Sequence, residues 1–524
     1  MTAPAQRRLA SGLKALHALQ GEGRSAFNTG EFSRADREAL LRGGYLQGVI
    51  QGWYVASNPA SAAGDTTPWI SGMKDFIAAY CNKRFGGDWC VSADYSLRLH
   101  AGATVLPKQV VIHAPLGKNS VLALPNGYSL LDYQARDFPG PRRRDRVGGL
   151  RTMTLAHALL KVPANFFRAW PQDAQTALLS IGDASEIGDL LAQGNHRIVA
   201  GRLAGAFRAV GRGAMADEIM GLMRSLGHQV DEDNPFEAPL RVLAGDRVES
   251  PYVCRLRLMW AAMREDALGA FQGETPEAPA DIAAFMRAIE DAYVTDAYHS
   301  LSIEGYRVTP ELIERVAAGD WNEALNARDR QSRDAMAAHG YWLAHKEVRR
   351  SIEKILAGAN AGDVLKSDHG AWFRALFSPS MAAGILSASD LAGYRNHPVY
   401  IRNALHVPPP REAVREMMPA LFELLRDEPS AAVRAVLGHF AFVFIHPYMD
   451  GNGRLGRFIM NAMLASGGLP WTVLRLEDRS RYMAALDAAS SGGDIKPFAA
   501  FVAESLSACL ARSPKGGAHS AGKG

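Results

Sequence analysis

The chain has 524 residues, 48% hydrophobic and 21% charged, which is enough for more than one core of ordinary size. Fifty-eight Lys and Arg against 54 Asp and Glu leave a formal net charge of +4, excluding both an acidic solvating protein and a chain built to coat polyanions. Four scattered cysteines and no apolar run of membrane-spanning length exclude a disulfide scaffold and a transmembrane protein, and point to reduced thiols in the cytoplasm.

Arg7 to Leu19 reads as a helix, Phe27 to Gly30 as extended chain, and Ser33 as the cap of a helix ending near Gly43-Gly44. Tyr45 to Ile50 and Trp53-Tyr54-Val55 flank Gln51-Gly52 and read as strand, turn, strand. Between Trp89 and Leu131, β-branched runs at Val105, Val110-Val111-Ile112 and Val121 are parted by Pro and Gly, so a strand-containing lobe is expected. Pro141 to Arg146 holds the densest basic cluster and reads as a solvated loop. Met153 to Leu268 has helical spacing, Gly273 to Ala280 reads as a linker, and Ser513 to Gly524 as a disordered tail.

Beyond the linker, Ala283 to His299 is helical by the spacing of Phe285, Ile289, Ala292 and Tyr293, with Gly305 a fitting end. Ser300 and Glu304, four apart, share one face. Ala431 to Ile445 is a second helix, on Val433, Val436, Leu437, Phe440 and Phe444. Pro447 stops it at His446, where the helix dipole would favour imidazolium. Leu455 to Ala465 is a third, ending at Gly467-Gly468.

The loop between those last two helices carries the chemistry. His446 is a proton acceptor, Asp450 a hard oxygen ligand of the kind that holds Mg²⁺ with substrate phosphates, and Gly451-Asn452-Gly453 an anion nest at a helix start. Arg454 and Arg457, three apart, offer guanidinium forks to phosphate oxygens. The set suits in-line attack of a hydroxyl on a phosphate.

His446-Pro-Tyr-Met-Asp-Gly-Asn-Gly-Arg-Leu-Gly-Arg457 resembles the signature of the Fic-domain family, with Tyr448 where the family has Phe. The resemblance extends over roughly Asp281 to Ala503. It implies a protein adenylyltransferase that moves AMP from ATP, with Mg²⁺, onto a Ser, Thr or Tyr hydroxyl of a target protein. His446 would be the general base and Asp450 the metal ligand. Gly451, Asn452, Gly453 and Arg454 would bind the α- and β-phosphates, and Arg457 the γ-phosphate. Tyr482, Met483 and Ser490 would border the nucleobase; the family often has Tyr-Tyr at the first two and Asn at the third. Val399, Tyr400, Ile401 and His406, in the stretch reaching Pro409, resemble the family's flap, whose extended edge pairs with the target backbone. Ser300-Leu-Ser-Ile-Glu304-Gly305 matches the family's inhibitory signature, so Glu304 would pair with Arg457 and hold the enzyme off.

The fold class implied is mainly α, an all-helical Fic domain with a small β-hairpin flap behind an α+β N-terminal region. The expected divisions are 1–60, resembling a winged helix of antitoxin-type regulators; 61–270, α+β and without an assigned role; a linker 271–280; the Fic domain 281–505; and a tail 506–524. A homodimer and a DNA contact by the first module are further expectations, with no membrane partner. The competing readings are de-AMPylation or transfer from another nucleotide on the same fold, and a DNA-binding regulator of toxin–antitoxin type.

Overall fold

The computed structural model describes residues 3–59, 65–194, 196–238, 240, 249–271, 279, 281–319 and 333–511. It divides into two compact units, Met1–Arg255 with Tyr400–Val407, and Leu256–Val399 with Pro408–Gly524.

In the first unit, a helix at Ala3–Gly21 and another at Arg34–Arg42 pack with a three-stranded antiparallel sheet of β1 (Ala26–Asn28), β2 (Leu46–Ile50) and β3 (Trp53–Ala56), in the order β1-β3-β2. Ser33 caps the second helix, its Oγ accepting the Asp36 N–H at 3.1 Å. Phe27, Phe32, Leu40 and Leu46 close a small core beneath. The expected element order is therefore present, but Arg34 pairs with Glu38 at 2.9 Å and Arg37 donates to the Thr29 carbonyl at 3.2 Å. These basic side chains of the second helix are engaged within the module, and the DNA contact expected of it is not supported.

The strand-containing lobe is a four-stranded sheet, order β4-β5-β7-β6, of β4 (Cys90–Val91), β5 (Gln109–Ala114), β6 (Ser120–Ala123) and β7 (Ser129–Gln134), with β5 and β7 parallel. Along β5, Val110, Ile112 and Ala114 are buried against Trp69 and Phe76 of the helix Thr67–Phe85. Full burial of a Val or Ile side chain contributes about 1.5–3 kcal/mol. The basic cluster expected as a loop is partly strand. β8 (Arg144–Val147) pairs with β9 (Leu150–Met153) around Gly148 and Gly149, both at positive φ as a tight hairpin requires. Val105 lies outside the named strands and makes one bridge, to His406.

That bridge marks a second departure from expectation. The segment Tyr400–Val407 belongs to the first unit. The Val407 N–H donates to the Thr104 carbonyl at 2.8 Å, and Tyr400 and Val407 pack on the same core as Trp69. No hairpin flap forms over Val399–Pro409: Val399, Tyr400 and Ile401 are in no strand, and His406 is buried. Tyr400, expected on a free extended edge, is taken up by a core instead.

The second unit is helical. Arg333–Leu356 folds back through a short turn onto Ala361–Ala382, whose cap is Asn360, its Oδ1 accepting from the Gly362 and Asp363 N–H groups. Ala431–Ile445 and Asn452–Ala465 are buried on nearly every face, the pattern of helices inside a bundle. The helix expected at Ala283 to His299 is two, Ile282–Asp291 and Tyr293–Ile303, parted at Ala292. Leu506 to Leu510, expected in the tail, complete the helix Lys496–Leu510. Most of the expected linker and the tail beyond Ala511 lie outside the described residues. A mainly α unit behind an α+β region is the architecture observed, and among the described residues no helix is long and apolar enough to cross a membrane.

Candidate active site

His446 ends its helix as expected. It takes left-handed geometry, φ 52 and ψ 59, while its N–H still reaches the Phe442 carbonyl at 2.9 Å. Gly451, at φ 84, opens the next helix, which starts at Asn452 rather than Leu455. Asn452 was expected in the anion nest, and its side chain turns back onto the loop. Its Oδ1 accepts the Tyr448 N–H at 3.0 Å and its Nδ2 donates to the Tyr448 carbonyl at 2.8 Å, so the amide braces the loop. Arg395 braces it from outside. Its N–H reaches the Pro447 carbonyl at 2.9 Å and its Nε the His446 carbonyl at 2.7 Å.

The His446 ring is half-buried, with Nδ1 3.2 Å from the Val443 carbonyl. A carbonyl only accepts, so Nδ1 carries the proton and Nε2 is left as the acceptor. Burial pushes the ring down to about 4; the Val443 carbonyl, Glu304 and Asp450 oppose this and Arg395 adds to it. The helix-dipole preference for imidazolium is thus outweighed by desolvation. At neutral pH the ring is a neutral base.

Asp450 stands at the mouth of the loop, with its side chain 62% exposed. One oxygen accepts the Gly451 N–H at 2.6 Å and lies 3.5 Å from Arg454 Nη2. A single exposed carboxylate beside a nest fits a cation shared with phosphates. Arg454 is 1% exposed and lies between the rings of Tyr306 and Phe377, at 5.2 and 5.1 Å. Beside it opens a cavity of about 970 Å³, bordered by Phe373, Phe377, Tyr394, Tyr448, Asp450 and Arg454.

Arg457 faces elsewhere. Its Nε donates to Ser300 Oγ at 2.6 Å, and its Nη2 to the Ser300 carbonyl at 3.0 Å and to Glu304 Oε1 at 2.7 Å. Burial works against its charge and Glu304 for it, with the guanidinium held above its ordinary value. Glu304 ends the helix Tyr293–Ile303, where Gly305 takes φ 87. Its carboxylate sits so close to Gly453 that a Cβ there would lie 2.3 Å from Oε1. Only glycine leaves room for an anion at that point.

The sequence-predicted base, acid, glycines, arginines, Ser300 and Glu304 are thus brought together. Of the nucleobase candidates, Tyr482 stands beside Arg457, and Met483 and Ser490 follow it on the same helix. Tyr482 is 2% exposed, its hydroxyl 2.9 Å from His439 Nε2 and its ring among Phe498 and Phe501, which is a core position. Ser490 bonds back to the Leu486 carbonyl at 2.7 Å, and Met483 is 37% exposed on the same helix. Sequence reasoning missed His439, and also Asp296 and Tyr341, a buried pair behind Ser300; none of the three carries a motif.

These features define a helical domain with a phosphate-type loop between two buried helices. Residues 369–464 match the Fic/DOC family. Among similar proteins, "Protein adenylyltransferase Fic" of Nematostella vectensis is 30% identical over 229 residues, covering 43% of this chain and 49% of its own. The protein of the same name from Drosophila willistoni is 29% identical over 225 residues, 42% of this chain and 41% of its own. The chain thus spans about half the length of these relatives. Among solved structures, Fic-1 of C. elegans aligns over 68% of this chain and 90% of its own, at 18% identity and a TM-score of 0.36. The likeness to the Fic/DOC family thus rests on residues 369–464, which hold the loop just described.

Proposed function

We propose that the second unit transfers AMP from ATP to a Ser, Thr or Tyr hydroxyl of a target protein, and that Glu304 holds it off. Support comes from the loop residues and from the relatives named protein adenylyltransferase. The single observation that carries the reading is the Glu304 carboxylate, bonded to Arg457 and seated against Gly453, where phosphate oxygens would otherwise go.

His446 Nε2 takes the hydroxyl proton as the oxygen forms its bond to the α-phosphorus; the bond from that phosphorus to the bridging oxygen breaks and pyrophosphate leaves. The nest N–H groups and Arg454 stabilise the charge that develops, and Arg457 holds the terminal phosphate once Glu304 withdraws. Asp450 would hold Mg²⁺, which when bound neutralises phosphate charge. With Glu304 in place the guanidinium is spoken for, and breaking a buried pair on one side alone costs about 3–5 kcal/mol.

Glu304→Gly, incubated with labelled ATP, should raise self-modification on the order of a hundredfold, a rise of the size that pair implies. His446→Ala should abolish it in either background, and mass spectrometry should find one added AMP. An unchanged rate in Glu304→Gly, or a modification that survives His446→Ala, would sink the reading.

A further inference from the structure

The face of the helix Tyr293–Ile303 that carries Ser300 and Glu304 begins a turn earlier. Asp296, Ser300 and Glu304 follow one another at four-residue steps, so all three look the same way. Asp296 is 2% exposed and Tyr341 fully buried, and the Tyr341 hydroxyl donates to Asp296 Oδ2 at 2.6 Å. Tyr341 comes from the helix Arg333–Leu356, and its ring packs on Phe458, the chain neighbour of Arg457, with centroids 4.8 Å apart. One helix is therefore tied to two others at successive turns.

A buried carboxylate is costly, and nothing in the loop chemistry asks for this one. Its use lies in what the other two contacts cannot do. Ser300 and Glu304 both bond to Arg457, a long side chain that can follow the helix if the helix slips. They do not by themselves set where along its axis the helix stands. The Asp296–Tyr341 bond does, because it runs to a different helix. A slip of one residue moves a helix about 1.5 Å along its axis, enough to lose a contact of 2.7 Å.

We propose that Asp296 and Tyr341 are positioning residues for the brake, fixing the register in which Glu304 reaches both Arg457 and Gly453. This rests on the reading of Glu304 given above. Neither residue touches phosphate. The effect proposed for them acts through the position of Glu304, which makes the proposal testable by coupling.

Tyr341→Phe removes the hydroxyl and keeps the ring; Asp296→Asn keeps an acceptor and removes the charge. Each is made with Glu304 present and with Glu304→Gly, and self-modification by labelled ATP is timed alongside a melting curve. With Glu304 present, Tyr341→Phe should raise the rate about tenfold, as loss of a hydrogen bond to a charged group implies, and Asp296→Asn by about threefold. In the Glu304→Gly background neither should change it. No rise with Glu304 present overturns the proposal, and so does an equal fall in both backgrounds, which would put Tyr341 in the service of catalysis. Should Tyr341→Phe fail to fold, Asp296→Asn with a native melting curve and an unchanged rate overturns it alone. If Glu304→Gly itself raises nothing, the reading beneath fails first, and the two failures are told apart.

Discussion

Arg454 and Arg457 stand in one helix three residues apart, both all but fully buried, and are accommodated by opposite means. Arg457 is met by oxygens from Ser300 and Glu304. Arg454 is met by the faces of two rings, with Asp450 at 3.5 Å, and its Nε and Nη2 find no hydrogen-bond partner among the described residues. The same residue at helical spacing thus has two roles. Ring faces hold a guanidinium in place without using its N–H groups, which stay available to a phosphate; the oxygen partners of Arg457 engage its Nε and Nη2 and leave Nη1 without a partner among the described residues.

The contrast can be broken in three ways. The largest effect is expected from Arg454→Lys in the Glu304→Gly background. An ammonium neither lies flat between rings nor offers a fork, so the rate of AMP transfer should fall on the order of a hundredfold. A rate kept within about twofold would mean that the ring-held cation is not used.

Acid should act next, and on the Arg457 side. Burial pushes His439 to about 3, with Arg457 adding to the effect, and burial likewise pushes His345 to about 3 and His446 to about 4. The unfolded chain takes up protons near 6.5 that the folded one refuses until far lower. Stability is therefore full above about 6.5 and is lost as the pH falls toward 4, by up to about 1.4 kcal/mol per unit for each histidine. Melting temperature should stay level down to pH 6.5 and then drop, and His439→Gln should flatten the slope. A level curve for the unaltered protein down to pH 4.5 would contradict the burial argument.

The smallest effect is that of Ser300→Ala, which removes one of three acceptors on Arg457 and leaves the carbonyl and Glu304. Self-modification should rise about fivefold, for a bond worth roughly 1 kcal/mol. A fall instead would show that Ser300 serves Arg457 in catalysis more than in restraint.

The loop and the Ser300–Gly305 segment were legible because their residues lie close together along the chain: twelve positions from His446 to Arg457, and a turn and a half from Ser300 to Gly305. Pro447 stopping a helix is a local effect, and so is Ser33 capping one. What stayed hidden is non-local. Asp296 meets Tyr341 across 45 residues, His439 meets Tyr482 across 43, and Arg395 meets His446 across 51. None of these pairs has a spacing that announces it. Tyr482 shows what spacing leaves open: an aromatic at helical spacing looks alike whether it walls a pocket or fills a core, and here it is buried with its ring among Phe498 and Phe501 and its hydroxyl on His439. The dipole argument at His446 failed for a related reason, since it weighed the helix end and left out the desolvation of the ring.

The eight residues Tyr400–Val407 make the second unit discontinuous in sequence, with Val399 and Pro408 on either side of a detour. A cut near residue 256 would not give an independent unit. It would deprive Val407 of the Thr104 carbonyl and strip the apolar cover from Tyr400, leaving a sticky bight in the middle of the excised part. Whoever divides this polypeptide must carry that detour's host along or replace its greasy side chains with polar ones.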